Sequence, residues 1–169
     1  KKKGILFWIT GLSGSGKTSI SKKIFPMIKK KFGPTVLISG DEIRNIFDLK
    51  KYDEDSRLKY GINFGKFAKH LTDQNINVVL NVIGMFDKVR NNNKKNIKNY
   101  IEIFIESDLK KIIKKGKKKI YKTKKKHLVG KDIKPQFPKI PNIKIKNDFK
   151  KNIDQLAFEL FIKISNIIK

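Results

Sequence analysis

The segment Gly11-Leu12-Ser13-Gly14-Ser15-Gly16-Lys17-Thr18 has residue types and spacing that carry chemistry directly. It fits G-x-x-x-x-G-K-[ST], a loop that holds phosphate. Its glycines let the backbone turn tightly, so successive N–H groups point inward at one anion. A helix directly after it adds the positive end of its dipole. In such loops the lysine, here Lys17, bridges the outer phosphates of a nucleoside triphosphate, and the hydroxyl, here Thr18, ligates Mg²⁺. The expected ATP-binding set is Gly11, Ser13, Gly14, Ser15, Gly16, Lys17, Thr18 and Ser19. A chance match in a glycine-rich turn is the plain alternative. An apolar run before the loop and helical spacing after it argue against that.

A second candidate is Asp41, in Ser39-Gly40-Asp41-Glu42-Ile43-Arg44. It follows a short apolar run that reads as a strand. The C-terminal ends of parallel strands share one side of a sheet, which puts Asp41 near a transferred phosphate. A carboxylate there can take a proton from an acceptor hydroxyl and help to organise Mg²⁺, so Thr18 and Asp41 form the expected metal pair. The competing reading is that Asp41 only caps the next helix, over Glu42–Phe47.

These residues must be positioned by elements that the hydrophobic pattern outlines. Ile5–Ile9, Thr35–Ser39, Val78–Ile83, Tyr100–Ile105 and Asn142–Ile145 read as buried strands. Thr18–Phe32, Ser56–Asp73, Asp87–Lys98, Leu109–Lys114 and Phe149–Ile168 read as helices, the first holding Pro26, which can kink it. Lys115–Lys139 has little apolar periodicity and a heavy charge load, and reads as a mobile lid. Strands alternating with helices predict an α/β sandwich on a mostly parallel sheet of about five strands, in a single P-loop domain over residues 1–169.

The composition sets limits. The 169 residues carry 41 Lys plus Arg against 15 Asp plus Glu, a formal net charge of +26. That invites a nucleic-acid reading. Yet only Arg44, Arg57 and Arg90 are arginine, and lysine, asparagine and isoleucine make up 79 residues, a bias that A/T-rich codons explain. Arginine is the side chain suited to bidentate readout, so its scarcity weakens that reading. The densest block, Lys110–Lys126, has Tyr121 as its lone aromatic, unlike a base-stacking surface. With no cysteine, disulfides and thiolate chemistry are excluded. His70 and His127 suggest no metal site. No apolar run reaches the length of a membrane span, and Ile5–Ile9 is too short for a signal core, so a cytoplasmic protein is expected. No DExx box and no [NT]-K-x-D signature is present, which leaves a small-molecule kinase as the expected class.

From here a resemblance adds to the residue-level reading. The chain resembles the adenylylsulfate kinase family in an ordered set of motifs along nearly its whole length. Gly11–Thr18 matches G-L-S-G-S-G-K-[ST], and Ser39–Arg44 resembles D-G-D-N-[IV]-R. Tyr52–Arg57 resembles F-S-x-x-D-R, and Val82–Arg90 stands in the place of I-S-P-Y-R-x-x-R. Lys118–Lys122 sits where the lid reads K-G-L-Y-K, and Gly130–Pro138 resembles G-x-D-x-P-Y-E-x-P. The resemblance implies transfer of the γ-phosphate of ATP to a ribose 3′-hydroxyl. It implies Asp41, Lys17 and Lys118 as catalytic residues. It also implies that Arg44 and Arg57 hold the acceptor's 5′-phosphate side, that Tyr52 stacks on its base, and that Tyr60, Ile83, Gly84 and Phe137 lie near it. A homodimer is a further implication.

The departures from the family pattern cluster on the acceptor side. Ser39 replaces an Asp, Tyr60 an Asn and Ile62 an Arg. Gly84-Met85 replaces Ser-Pro, Asp87 an Arg, Lys115-Gly116 an Arg-Asp, and Pro135-Gln136 a Tyr-Glu. Codon bias explains Arg to Lys well and Asn to Tyr poorly. The pattern is similar to the branch of the family that phosphorylates cytidine diphosphoramidate in capsule modification. Adenylylsulfate is the alternative acceptor. Two rival classes are a nucleic-acid-stimulated ATPase, which the lone Tyr121 of the lysine block argues against, and a kinase for a small sugar or acid alcohol, which Arg44, Tyr52 and Arg57 argue against.

Overall fold

The computed structural model describes residues 3–116, 121 and 126–168. Five strands form one sheet in the order β2-β3-β1-β4-β5, all parallel. They are β1 (Leu6–Thr10), β2 (Thr35–Ser39), β3 (Asn77–Val82), β4 (Tyr100–Glu106) and β5 (Ile143–Lys146). The helices are α1 (Lys17–Phe32), α2 (Gly40–Ile46), α3 (Glu54–Asp73), α4 (Asp87–Asn96), α5 (Leu109–Lys114) and α6 (Ile153–Ile167). The expected α/β sandwich on a parallel sheet is therefore the observed one.

The continuous apolar character of β1 follows from its central position, covered on both faces. Phe7 and Ile9 pack with Ile20, Ile24 and Ile28 of α1 and with Leu156 and Leu160 of α6. Leu6 and Trp8 face the other way, toward Phe64 and Ala68 of α3 and Val89 of α4. All five strand residues are buried, and each large side chain contributes about 1.5–3 kcal/mol by leaving water. These two layers hold the strand ends in register, so the loops after β1, β2 and β3 open on one side of the sheet.

Several boundaries differ from the pattern-based expectation, each for a local reason. Helix α3 begins at Glu54 because the Asp53 carboxylate accepts the N–H of Ser56, capping it two residues early. Helix α6 begins at Ile153, not Phe149, because Asn152 and Gln155 form a reciprocal cap there and Phe149 sits at φ 67°. Pro26 lies within α1, which runs on to Phe32. Asp41 is not a helix cap. Ser39 caps α2, exchanging hydrogen bonds with Glu42, and Asp41 stands in the first turn with its side chain exposed. The segment read as a mobile lid over 115–139 contains core residues. Tyr121, Leu128, Val129 and Ile133 are buried against the layer that holds Trp8. Their irregular spacing hid them, because they pack from a loop rather than from one face of a helix.

Candidate active site

The loop between β1 and α1 takes its shape from glycines and from one buried asparagine. Gly16 ends the loop at φ 95° and Gly14 sits at φ 84°, backbone regions that favour glycine. A Cβ on Gly11 would lie 2.6 Å from the carbonyl oxygen of Ile105, so β4 leaves no room for a side chain. Asn147, at the end of β5, donates from Nδ2 to the carbonyl of Ser15 at 2.9 Å and is buried. Lys17 is also buried, and its Nζ donates to the carbonyl of Leu12 at 2.8 Å. The lysine is thereby folded back over its own loop.

Six of the eight expected phosphate-side residues line one cavity of about 720 Å³: Ser13, Gly14, Gly16, Lys17, Thr18 and Ser19. Gly11 and Ser15 do not line it. Ser15 is fully buried, and its hydroxyl has no hydrogen-bond partner among the described residues. Thr18 is exposed, and its hydroxyl donates to Oδ1 of Asn81, on β3, at 3.3 Å. Asn81, Asn147, Phe149 and Lys115 add to the same cavity wall. Among the described residues no three His, Asp or Glu side chains gather to hold a metal ion. A cation in this cavity would draw on the Thr18 hydroxyl, on Asp41 and on the oxygens of a phosphate ligand, a donor set suited to Mg²⁺.

A second cavity of about 680 Å³ adjoins the first. Asp41, Ser13, Gly40, Val82 and Ile83 line both, so Asp41 stands where they meet. Seven of the expected acceptor-side residues line the second cavity: Asp41, Arg44, Tyr52, Arg57, Tyr60, Ile83 and Gly84. They come from α2, the 47–53 loop, α3 and the loop after β3. The Arg44 guanidinium lies 4.1 Å from the ring centre of Tyr52 and 5.1 Å from that of Tyr60, a cation close to two aromatic rings. Arg57 lies 5.3 Å from the Tyr52 ring centre, donates to the Tyr52 carbonyl at 2.7 Å and to the His127 carbonyl at 3.0 Å. Burial and the neighbouring Arg44 both press the Arg57 pKa below its usual value. Two guanidinium groups this close favour an anionic occupant that relieves their repulsion.

One expected site residue lies elsewhere, and one cannot be placed. Phe137 does not line the acceptor-side cavity. Its ring packs 5.7 Å from that of Phe104, along a separate cavity of about 630 Å³ with Leu12, Glu106 and Pro135. Pro135 and Pro138 steer this segment to the β4 flank. Lys118 lies outside the described residues. Three functional positions escaped the sequence reading. Asn147 supports the phosphate loop. Tyr121 is buried, and its hydroxyl donates to the carbonyl of Ser13 at 3.2 Å, tying the lysine-rich segment to the loop. Trp8 is fully buried under Gly84, and a Cβ on Gly84 would come within 3.1 Å of its indole nitrogen. The lone aromatic in a charged run was the available signal for Tyr121. Asn147, in a chain rich in asparagine, offered none.

Residues 3–146 match the family model described as adenylylsulphate kinase. The chain belongs to the adenylylsulphate kinase family. Within it, the chain is 35% identical over 167 residues to the cytidine diphosphoramidate kinase of Campylobacter jejuni, an alignment covering 96% of this chain and 97% of that relative. It is 28% identical over 187 residues to the adenylyl-sulfate kinase of Buchnera aphidicola, covering 98% of this chain and 84% of the relative. Its fold overlays an APS kinase of Mycobacterium tuberculosis, solved with AMPPNP and APS, with a TM-score of 0.85 at 24% identity over 98% of this chain and 99% of that one. The chain is therefore a kinase, with a P-loop kinase fold. Among the described residues no helix is long and apolar enough to cross a membrane.

Proposed function

We propose that this kinase uses Mg-ATP to phosphorylate a ribose hydroxyl, the 3′-hydroxyl, of a nucleotide acceptor, and that the acceptor is cytidine diphosphoramidate. The observation that carries the transfer chemistry is Asp41 at the junction of the two cavities, between the phosphate loop and the two arginines. The acceptor is chosen on the 35% identity to the Campylobacter jejuni enzyme over nearly both full lengths. The product would serve surface-polysaccharide modification, with the reaction in the cytoplasm, where ATP is supplied.

In this reading ATP and Mg²⁺ supply the transferable phosphoryl group and neutralise its charge. Backbone amides of residues 13–18 hold the phosphates, and Lys17 reaches them from within the loop. Thr18 and Asp41 hold the cation. Asp41 also accepts the proton of the attacking hydroxyl or orients that hydroxyl. Arg44 and Arg57 hold the charged 5′ side of the acceptor, and Tyr52 and Tyr60 flank its base. Burial raises the Tyr121 pKa, and its hydroxyl donates to the Ser13 carbonyl of the phosphate loop. Lys118 is assigned to the moving phosphoryl group.

The test is ADP release with Mg-ATP, run beside each other on cytidine diphosphoramidate and adenylylsulfate. Preference for the cytidine compound supports the reading. Preference for adenylylsulfate assigns the chain to sulfate activation. Turnover stimulated by DNA or RNA, and by neither small acceptor, overturns both.

A further inference from the structure

Helix α4, Asp87-Lys88-Val89-Arg90-Asn91-Asn92-Asn93-Lys94-Lys95-Asn96, has one apolar residue, yet it carries an arginine that is 3% exposed. Burying a guanidinium is costly unless several acceptors meet it. Arg90 has them. One terminal nitrogen donates to the carbonyl of Gly84 at 2.8 Å. The other donates to the Asp87 carboxylate and to the carbonyl of Gln136. Its Nε lies 3.9 Å from the Glu102 carboxylate. Gln136 completes the unit from the other side. Its N–H donates to the Met85 carbonyl at 2.9 Å, and its side-chain oxygen accepts the N–H of Asp87 at 2.7 Å.

The backbone so held, Gly84-Met85-Phe86, forms one wall of the acceptor-side cavity, to which Gly84 and Phe86 contribute directly. Gly84 sits at φ 52° and packs against Trp8, Thr10 and Val82, so the wall cannot settle inward. Arg90, Asp87 and Gln136 set where it stands. These contacts also join sequence changes that looked independent. Gly84-Met85, Asp87 and Gln136 all depart from the family pattern, and all meet at Arg90. By the resemblance, the family pattern has an Arg where Asp87 stands and a Glu where Gln136 stands. This chain has changed both. Arg90 already faces two carboxylates, Asp87 and Glu102. A glutamate at 136 would add a third acid around one guanidinium, and Gln136 avoids it.

We infer that Arg90, Asp87 and Gln136 form a positioning unit that places the Gly84–Phe86 wall for the acceptor, and that Asp87 and Gln136 are matched to each other within it. The inference rests on the acceptor reading above. The experiment is a double-mutant cycle of Gln136→Glu, Asp87→Arg and the double variant, with KM for acceptor and for ATP measured separately and thermal melting as a folding control. Each single change raises acceptor KM about tenfold, within the range for residues sharing one network, and leaves ATP KM within about twofold. The double variant recovers most of that loss. Single variants like the wild type, equal rises in both KM values, or losses that simply multiply in the double variant overturn the inference while leaving the acceptor reading intact. A wild-type protein that turns over neither acceptor overturns the acceptor reading, and this inference with it.

Discussion

The two cavities that meet at Asp41 are built by different means. On the phosphate side the binding groups are mainly backbone: a loop whose shape depends on Gly14 and Gly16 at positive φ, steadied by Asn147. On the acceptor side they are side chains that hold one another. Arg44 lies close to the Tyr52 and Tyr60 rings, Arg57 spans Tyr52 and His127, and Arg90 clasps Gly84 and Gln136. A backbone cradle tolerates few replacements, because its geometry is its chemistry. A side-chain assembly can be exchanged part by part while the sheet beneath stays the same. One fold can therefore keep its phosphate donor and change its acceptor.

The comparison is put to its hardest test at the junction. Asp41→Asn should lower kcat by about a hundredfold or more while the Kd for ATP moves only a few-fold, the size expected for losing a proton acceptor. Parallel losses in both would mean that Asp41 belongs to the phosphate cradle alone. Next, Asn147→Ala should raise ATP KM severalfold with acceptor KM unchanged. It should also destabilise the protein by about 1–3 kcal/mol in denaturant melts, since the buried Ser15 carbonyl loses its donor. An equal rise in acceptor KM would show that the two sides are not separable. On the acceptor side, Tyr60→Asn puts back the residue of the family pattern and removes one of the two rings near Arg44. It should shift kcat/KM by about tenfold from the cytidine compound toward adenylylsulfate, consistent with about 0.5–2 kcal/mol for a partly buried cation–π contact. An unchanged acceptor ratio would remove Tyr60 from the specificity determinants.

The smallest effect belongs to a control outside both cavities. Hydrogen bonds from Lys3 and Lys69 hold the Asp73 carboxyl at about 2, below its ordinary 3.8. Between those values the unfolded chain binds more protons, so stability rises with pH there. The contribution is complete above about pH 4 and is lost as pH falls through about 2. Asp73→Asn should flatten that part of the stability curve and leave both KM values alone. An altered KM would show that the sheet's far end reaches the site.

How much could be read in advance follows the same division. The phosphate loop was legible residue by residue, since its glycines, Lys17 and Thr18 follow from what phosphate demands. The five strands were legible from apolar runs and the helices from their spacing, with the starts of α3 and α6 displaced where Asp53 and Asn152 cap them. The assembly of Asp41, Arg44, Tyr52, Arg57, Tyr60, Ile83 and Gly84 around one cavity was anticipated from motif order. What no local pattern expressed was mutual holding. Arg90 stood at the end of a motif without a role until Glu102 and Gln136, from two other segments, joined Gly84 and Asp87 around it. Phe137 was misplaced because motif position does not tell which way a proline-flanked segment turns.

The single tryptophan of the chain, Trp8, lies in the sheet directly beneath the Gly84 wall of the acceptor cavity. Its emission therefore comes from one site, sealed from solvent and in contact with the backbone that an acceptor must touch. On the proposed acceptor reading, Trp8 is an optical gauge of that cavity's occupancy. Titrating each nucleotide against intrinsic fluorescence reads that half of the site without a label and without turnover.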